Sequence, residues 1–249
     1  MGRAKPLAAM FLVSVGSVMF LSACKKAEAP IHDLTATPTP AATATQTAIV
    51  VAEPRSGDEV TVPVTVKGVA SVFEATVVIA VESADGSKTF CKTFTTASEG
   101  APGRGSFEAQ IDFPPPSSAT DGRVRVYSES SKNGSVQNLV SVPVVISPEQ
   151  PAIVIDSPLC GAEVKSPVTV KGTASVFEAA VVVVVKDSLG QELARANVLA
   201  SESVGGTFSQ DLNFSLPGGS ENGTIEAFNI SPRDGSVVNL FSVPVTLTP

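Results

Sequence analysis

From residue 48 onward apolar and polar side chains alternate in short runs separated by turn residues. Val62, Val64 and Val66 share one face of a run whose other face is Pro63, Thr65 and Lys67. That period of two predicts a half-buried strand over Val62 to Gly68. Phe107, Ala109, Ile111 and Phe113 alternate with Glu108, Gln110 and Asp112 until Pro114 to Pro116 end the run. Thr76 to Glu82 is rich in Val and Ile and closes on Asp85-Gly86, a hairpin signal; Lys88 to Thr95 returns across it. Ala48 to Ala52, Val124 to Ser128 and Gln137 to Ile146 complete seven expected strands, the first of them at an edge. Seven short strands with turns between them and no helical period predict a β-sandwich.

The pattern then repeats. Val64 to Ala75 and Val168 to Ala179 differ only at Val69 against Thr173, at an offset of 104 residues. Asn138 to Val144 and Asn239 to Val245 match at an offset of 101, so the second copy is three residues shorter in its middle. Two domains in tandem follow, over 48–147 and 152–249, joined by a short Pro-flanked segment. Ala180 to Val185 is apolar throughout and could be a buried helix; its β-branching and place in the repeat favour a central strand covered on both faces. Gln210 stands where the first copy has Ala109, which suits a position near a sheet edge.

Residues 1–23 have the parts of a secretory signal: Arg3 and Lys5, an apolar run from Leu7 to Phe20, then small residues. Roughly 14 apolar positions fall short of the ~20 that a membrane-spanning helix needs. Leu21-Ser22-Ala23-Cys24 resembles the lipobox of bacterial lipoproteins, and the resemblance implies that Cys24 carries the lipid and anchors the chain to the bilayer. Residues 24–47 are nearly all Ala, Thr and Pro, have little to bury, and are expected to form a disordered tether. His32, the only histidine, lies there.

The quoted segments carry a second resemblance. Pro158-x-x-Gly161-x-x-Val164, then Ser166 to Ala179 (S-P-V-T-V-K-G-T-A-S-V-F-E-A), Ser231 to Ser236 (S-P-R-D-G-S) and Val243-Pro244-Val245 resemble the Gmad2 family, immunoglobulin-like domains named for bacterial spore germination proteins. The first copy departs from it with Val62-Pro63 and with Lys132-Asn133-Gly134. The resemblance implies an all-β chain of two immunoglobulin-like sandwiches on the cell envelope, without an established active site and with no cofactor.

Composition narrows the chemistry. The net charge is −7, or −9 without Arg3 and Lys5 (15 basic residues against 24 acidic). An acidic surface repels phosphate backbones, which argues against nucleic acid as a partner. With no His in either copy, Ser-His-Asp and Cys-His arrangements cannot be built there, and an enzyme is not expected. At the 104-residue offset Cys91 answers to Arg195 and Cys160 to Ser56, so no disulfide recurs within the copies. Two separate thiols are expected, and a bridge between the copies is the alternative. Glu74 and Glu178 follow Phe in the repeated segment, while Lys132 and Arg233 sit in a matching later turn. Cross-loop ion pairs Glu74–Lys132 and Glu178–Arg233 are therefore expected, with Glu178→Gln lowering stability. Asp85 and Asp187 are assigned to turns.

The expected function is that of a non-enzymatic, lipid-anchored surface protein. Its two domains bind another envelope component, a protein or a glycan, in spore germination or envelope assembly. A passive spacer and a wall-polymer enzyme are the alternatives. Contacts are expected in the irregular loops Thr96 to Gly105 and Ser117 to Gly122, and in their counterparts Ser201 to Gly206 and Pro217 to Gly223.

Overall fold

A computed structural model describes residues 47–249. The signal segment, Cys24, His32 and the tether up to residue 46 lie outside the described residues. The first copy runs β1 (Ile49–Glu53), β2 (Glu59–Val60), β3 (Val64–Ala70), β4 (Thr76–Ser83), β5 (Thr89–Thr96), β6 (Gly105–Ile111), β7 (Thr120–Glu129) and β8 (Val136–Ile146). The second runs β9 (Ile153–Ser157), β10 (Glu163–Lys165), β11 (Val168–Ala174), β12 (Ala180–Lys186), β13 (Glu192–Leu199), β14 (Gly206–Leu212), β15 (Glu221–Ile230) and β16 (Val237–Thr248). Each copy pairs a three-stranded sheet, β1-β3-β6 or β9-β11-β14, with a five-stranded one, β2-β8-β7-β4-β5 or β10-β16-β15-β12-β13. Pairing is antiparallel except β2 with β8 and β10 with β16.

Each copy thus has eight strands, not seven. The additions, β2 and β10, are two and three residues long, too short for alternation to register. Elsewhere the period of two does what it predicts. Val64 and Val66 face the core, as do Phe107, Ile111 and Phe113, while Lys67 and Glu108 stay in water as a neighbouring pair at 3.3 Å. Val181 to Val185 are all buried: the odd-numbered residues in the main core, Val182 and Val184 with Phe228 on the other face of the sheet. The strand is therefore covered on both faces. Gln210 lies half-buried on β14, which pairs only with β11 and forms an edge.

Register corrects the bookkeeping between copies. Val81 pairs with Cys91 and its equivalent Val185 with Ala194, so the counterpart of Cys91 is Ala194, not Arg195. One of the three missing residues comes out of the hairpin after β12 and two out of the loop after β13, which shifts the whole of β13 by one.

Candidate functional site

The repeated V-F-E-A segment is the turn between β3 and β4, and again between β11 and β12. Val72 and Ala75 are buried, as are Val176 and Ala179, so the chain is pinned to the core on either side of each Phe. Reversing direction over so few residues requires two successive side-chain-bearing residues at positive φ. These are Glu74 at 53° with Ala75 at 56°, and Glu178 at 55° with Ala179 at 54°. A left-handed conformation costs an L-residue ~1–2 kcal/mol. Neighbouring backbone holds it in place. Ala75 N donates to Val72 O, and the loop after β5 adds Ala97 N to Ala75 O and Ala101 N to Val72 O, at 2.8 and 2.9 Å. In the second copy Ala200 N donates to Ala179 O at 2.9 Å. The result is that Phe73 and Phe177 are each 65% exposed, on a backbone that cannot easily turn them inward. Burying a Phe would contribute ~1.5–3 kcal/mol, which both copies forgo at the same place.

Pairing of Val78 with Tyr127 and of Val182 with Phe228 brings this turn and the turn after β7 or β15 to one end of each sandwich. Lys132 and Arg233 are there, yet among the described residues no ion pair joins Glu74 to Lys132 or Glu178 to Arg233. The expected pairs do not form because each later turn closes on itself. Lys132 N and Arg233 N donate to Ser130 Oγ and Ser231 Oγ, and Gly134 N and Gly235 N donate to Ser130 O and Ser231 O. Glu178→Gln is accordingly expected to leave the melting temperature unchanged within the ~0.5 kcal/mol typical of surface substitutions. A clear drop in a thermal melt would reinstate the pair.

Charge is organised instead on the outer faces of the five-stranded sheets. Glu82 accepts from Arg123 at 2.8 Å and from Arg125 at 3.0 Å. Burial pushes its carboxyl up, but the two guanidinium hydrogen bonds outweigh burial and hold it below the usual range. Lys92 pairs with Glu129 at 2.9 Å and Lys186 with Glu226 at 2.7 Å. Lys92 lies over the Tyr127 ring and its counterpart Arg195 over the Phe228 ring, 5.9 and 5.6 Å from the centroids. The R-x-R spacing of Arg123 and Arg125 was the available sequence signal, because it puts both cations on one face of β7. The carboxylates of Asp85 and Asp187 accept turn N–H groups, from Ser87 in one hairpin and from Leu189 and Gln191 in the other.

Where the sandwiches meet, the expectation of two separate thiols is overturned. Cys91 on β5 and Cys160, three residues before the strand β10, form a disulfide with Cα atoms 5.1 Å apart. Neither Cys has a Cys counterpart in the other copy, and a bridge between domains depends on their placement rather than on any repeat. A second tie is polar: Ser242 N on β16 donates to Asp112 Oδ2 at 3.0 Å. The other oxygen, Asp112 Oδ1, is buried without a hydrogen-bond partner, and burial pushes the carboxyl up to about 6 against the opposing Ser242 hydrogen bond.

A family model described as an immunoglobulin-like domain of bacterial spore germination (Gmad2) matches the chain twice, at residues 48–135 and 152–236. Solved structures similar to it include a tetra-tandem repeat in the extending region of a large adhesion protein, 19% identical, covering 80% of this chain and 47% of that one with a TM-score of 0.27. The BSP domain of a biofilm associated protein is 18% identical over 80% of this chain and 29% of that one, with a TM-score of 0.25. Fibronectin(III)-like modules of Clostridium thermocellum CbhA are 13% identical over 80% of this chain and 93% of theirs, with a TM-score of 0.21. The chain spans less than half the length of the first two. No curated protein matches the sequence.

Proposed function

The chain belongs to the Gmad2 family of immunoglobulin-like domains, and from that membership we propose that it is a non-enzymatic surface module of the bacterial envelope. Its tandem domains bind another envelope component, and a lipid on Cys24 tethers them to the membrane. The observation that carries the binding role is the recurrence of an exposed Phe, Phe73 and Phe177, on the same strained turn in both copies. The reversal itself needs the strained backbone, but aiming a Phe into solvent adds nothing to the fold in either copy and is best accounted for by a surface that this turn contacts. Two features support the location. The Leu21 to Cys24 segment has the lipobox pattern, and the Cys91–Cys160 bridge suits an oxidising compartment outside the cytoplasm.

The test is a cross-linking pull-down of the full lipidated protein from its own cells, run beside a Phe73→Ser/Phe177→Ser double variant. The expected result is a partner captured by the wild type and lost, at equal expression, by the variant. Equal capture by both, and by a chain keeping only the anchor and tether, would favour the spacer. The disulfide is what lends the spacer its case, since a bridge across the joint fixes a distance whether or not anything is bound.

A further inference from the structure

We propose that the cleft between the two sandwiches binds a neutral saccharide. Its near wall is β5, with Lys92, Thr93 and Phe94; its far wall is the β12–β13 turn and the start of β15, with Asn222 and Thr224. The space is about 570 Å³, within the ~300–1,000 Å³ of small-molecule sites, which favour domain junctions. The walls are tied together at the cleft itself, because Cys91 precedes Lys92 and Cys160 precedes the lining residue Gly161. The bridge and the Asp112–Ser242 hydrogen bond pre-organise the cleft, which lowers the cost of closing on a ligand.

The repeat supplies an internal control. By register Phe94 answers to Asn197, Cys91 to Ala194 and Glu129 to Ile230. Phe94 and Glu129 line the cleft and Cys91 adjoins the lining residue Lys92, so these three departures lie where the first copy faces the second. Phe94 is 55% exposed on the outer face of its sheet, opposite Val78, and is absent from the buried core. The fold manages with Asn at the equivalent position. An exposed aromatic ring beside hydroxyl and amide groups matches a pyranose, whose C–H face stacks on the ring while its hydroxyls take the polar positions.

Charge selects against ionic ligands. The Lys92 ammonium is held by Glu129, and Asp187 Oδ1 is occupied by two N–H groups of its own turn. No cation is left over to hold a phosphate or sulfate, and no pair of carboxylates remains to hold a cation. Asn222 and Thr224 supply neutral donors and acceptors. This site is separate from the Phe73 and Phe177 turns and does not require them.

The sequence has one tyrosine and no tryptophan, so intrinsic fluorescence reports Tyr127, whose ring lies under Lys92 at the cleft. The experiment titrates the full chain with chitobiose and with cellobiose, following Tyr127 emission, with inorganic phosphate as the charged control. A saturable change with at least one disaccharide and none with phosphate is expected. Phe94→Asn, which installs the residue of the second copy, should weaken it at least 10-fold, while Phe94→Tyr should bind nearly as the wild type. No saturable change with either sugar, or equal affinity in Phe94→Asn, overturns the proposal. If Phe94→Asn also retains the cross-linked partner of the pull-down while no sugar binds, the cleft fails and the binding-module reading stands.

Discussion

Asp112→Asn is expected to remove about 3 kcal/mol of pH dependence from the stability of the folded chain. The carboxyl lies at about 6 in the folded protein and at an ordinary 3.8 when exposed. Between those values the native state binds more protons than the unfolded one. The stabilisation is therefore complete below pH ~3.8 and is lost as pH rises through ~6, at ~1.4 kcal/mol per unit of difference. At neutral pH the wild type holds a charged, half-unpaired carboxylate between its sandwiches. Asn keeps an acceptor for Ser242 N–H and cannot ionise, and the second copy has Asn213 at the equivalent place. Thermal or denaturant unfolding at a series of pH values should show the wild type losing stability from acid to neutral pH and the variant losing much less. The difference between the two curves is the readout, because Asp156, pushed up by burial, and Glu82, Asp85 and Asp234, held down by their hydrogen bonds, add opposing slopes common to both proteins. Parallel curves for the two proteins would mean that Asp112 is solvated or already paired.

Gly172→Ala is expected to cost about 3 kcal/mol, near the upper end for overpacking, and to lower the melting temperature of the second sandwich by roughly 12–24 °C. A Cβ at Gly172 would lie inside contact distance of the Val154 carbonyl and against the Phe208 ring. The first is backbone of the adjacent strand β9 and the second a core side chain, so neither can give way. Gly68 meets Val50 O and Phe107 in the same way, which accounts for a glycine at this position in both copies. Gly218→Ala is the control: nothing lies within 4 Å of its Cβ position and its backbone is not left-handed. Its melting temperature should hold or rise slightly. Equal effects of the two substitutions would show that β9 can shift away from β11.

How much of this was legible depended on whether the signal was local. The strands of Val64, Phe107 and Val181 were readable because each carries its periodicity or β-branching in its own sequence. The left-handed Asn138 and Asn239, at φ 54° and 53°, also left a trace, since Asn tolerates that region and heads the second repeated segment in both copies. β2 escaped because two residues have no period. The loop ion pairs failed because sequence shows which charges share an end of the fold, but not whether a turn has already satisfied itself. Of the loops proposed as contact sites, the one after β5 braces the Phe73 turn from behind, and residues 120–122 and 221–223 are already strand. The outward turn of Phe73 and Phe177 was hidden too, because a Phe beside a Val in a strand-rich domain reads as core until the backbone is known.

On the proposed reading, with a lipid anchor at one end and a partner at the other, the bridge between Cys91 and Cys160 has one more consequence. Tension between the tether and a contact on the second sandwich would be carried across the sulfurs, bypassing the chain between two residues separated by 69 positions. At ~3.3–3.6 Å per residue, roughly 230 Å of chain could not pay out under load while the bridge stays closed. β6, β7 and β8, all within that bypassed stretch, would be shielded from the pull, and a reductant would turn a short, stiff link into a long, yielding one.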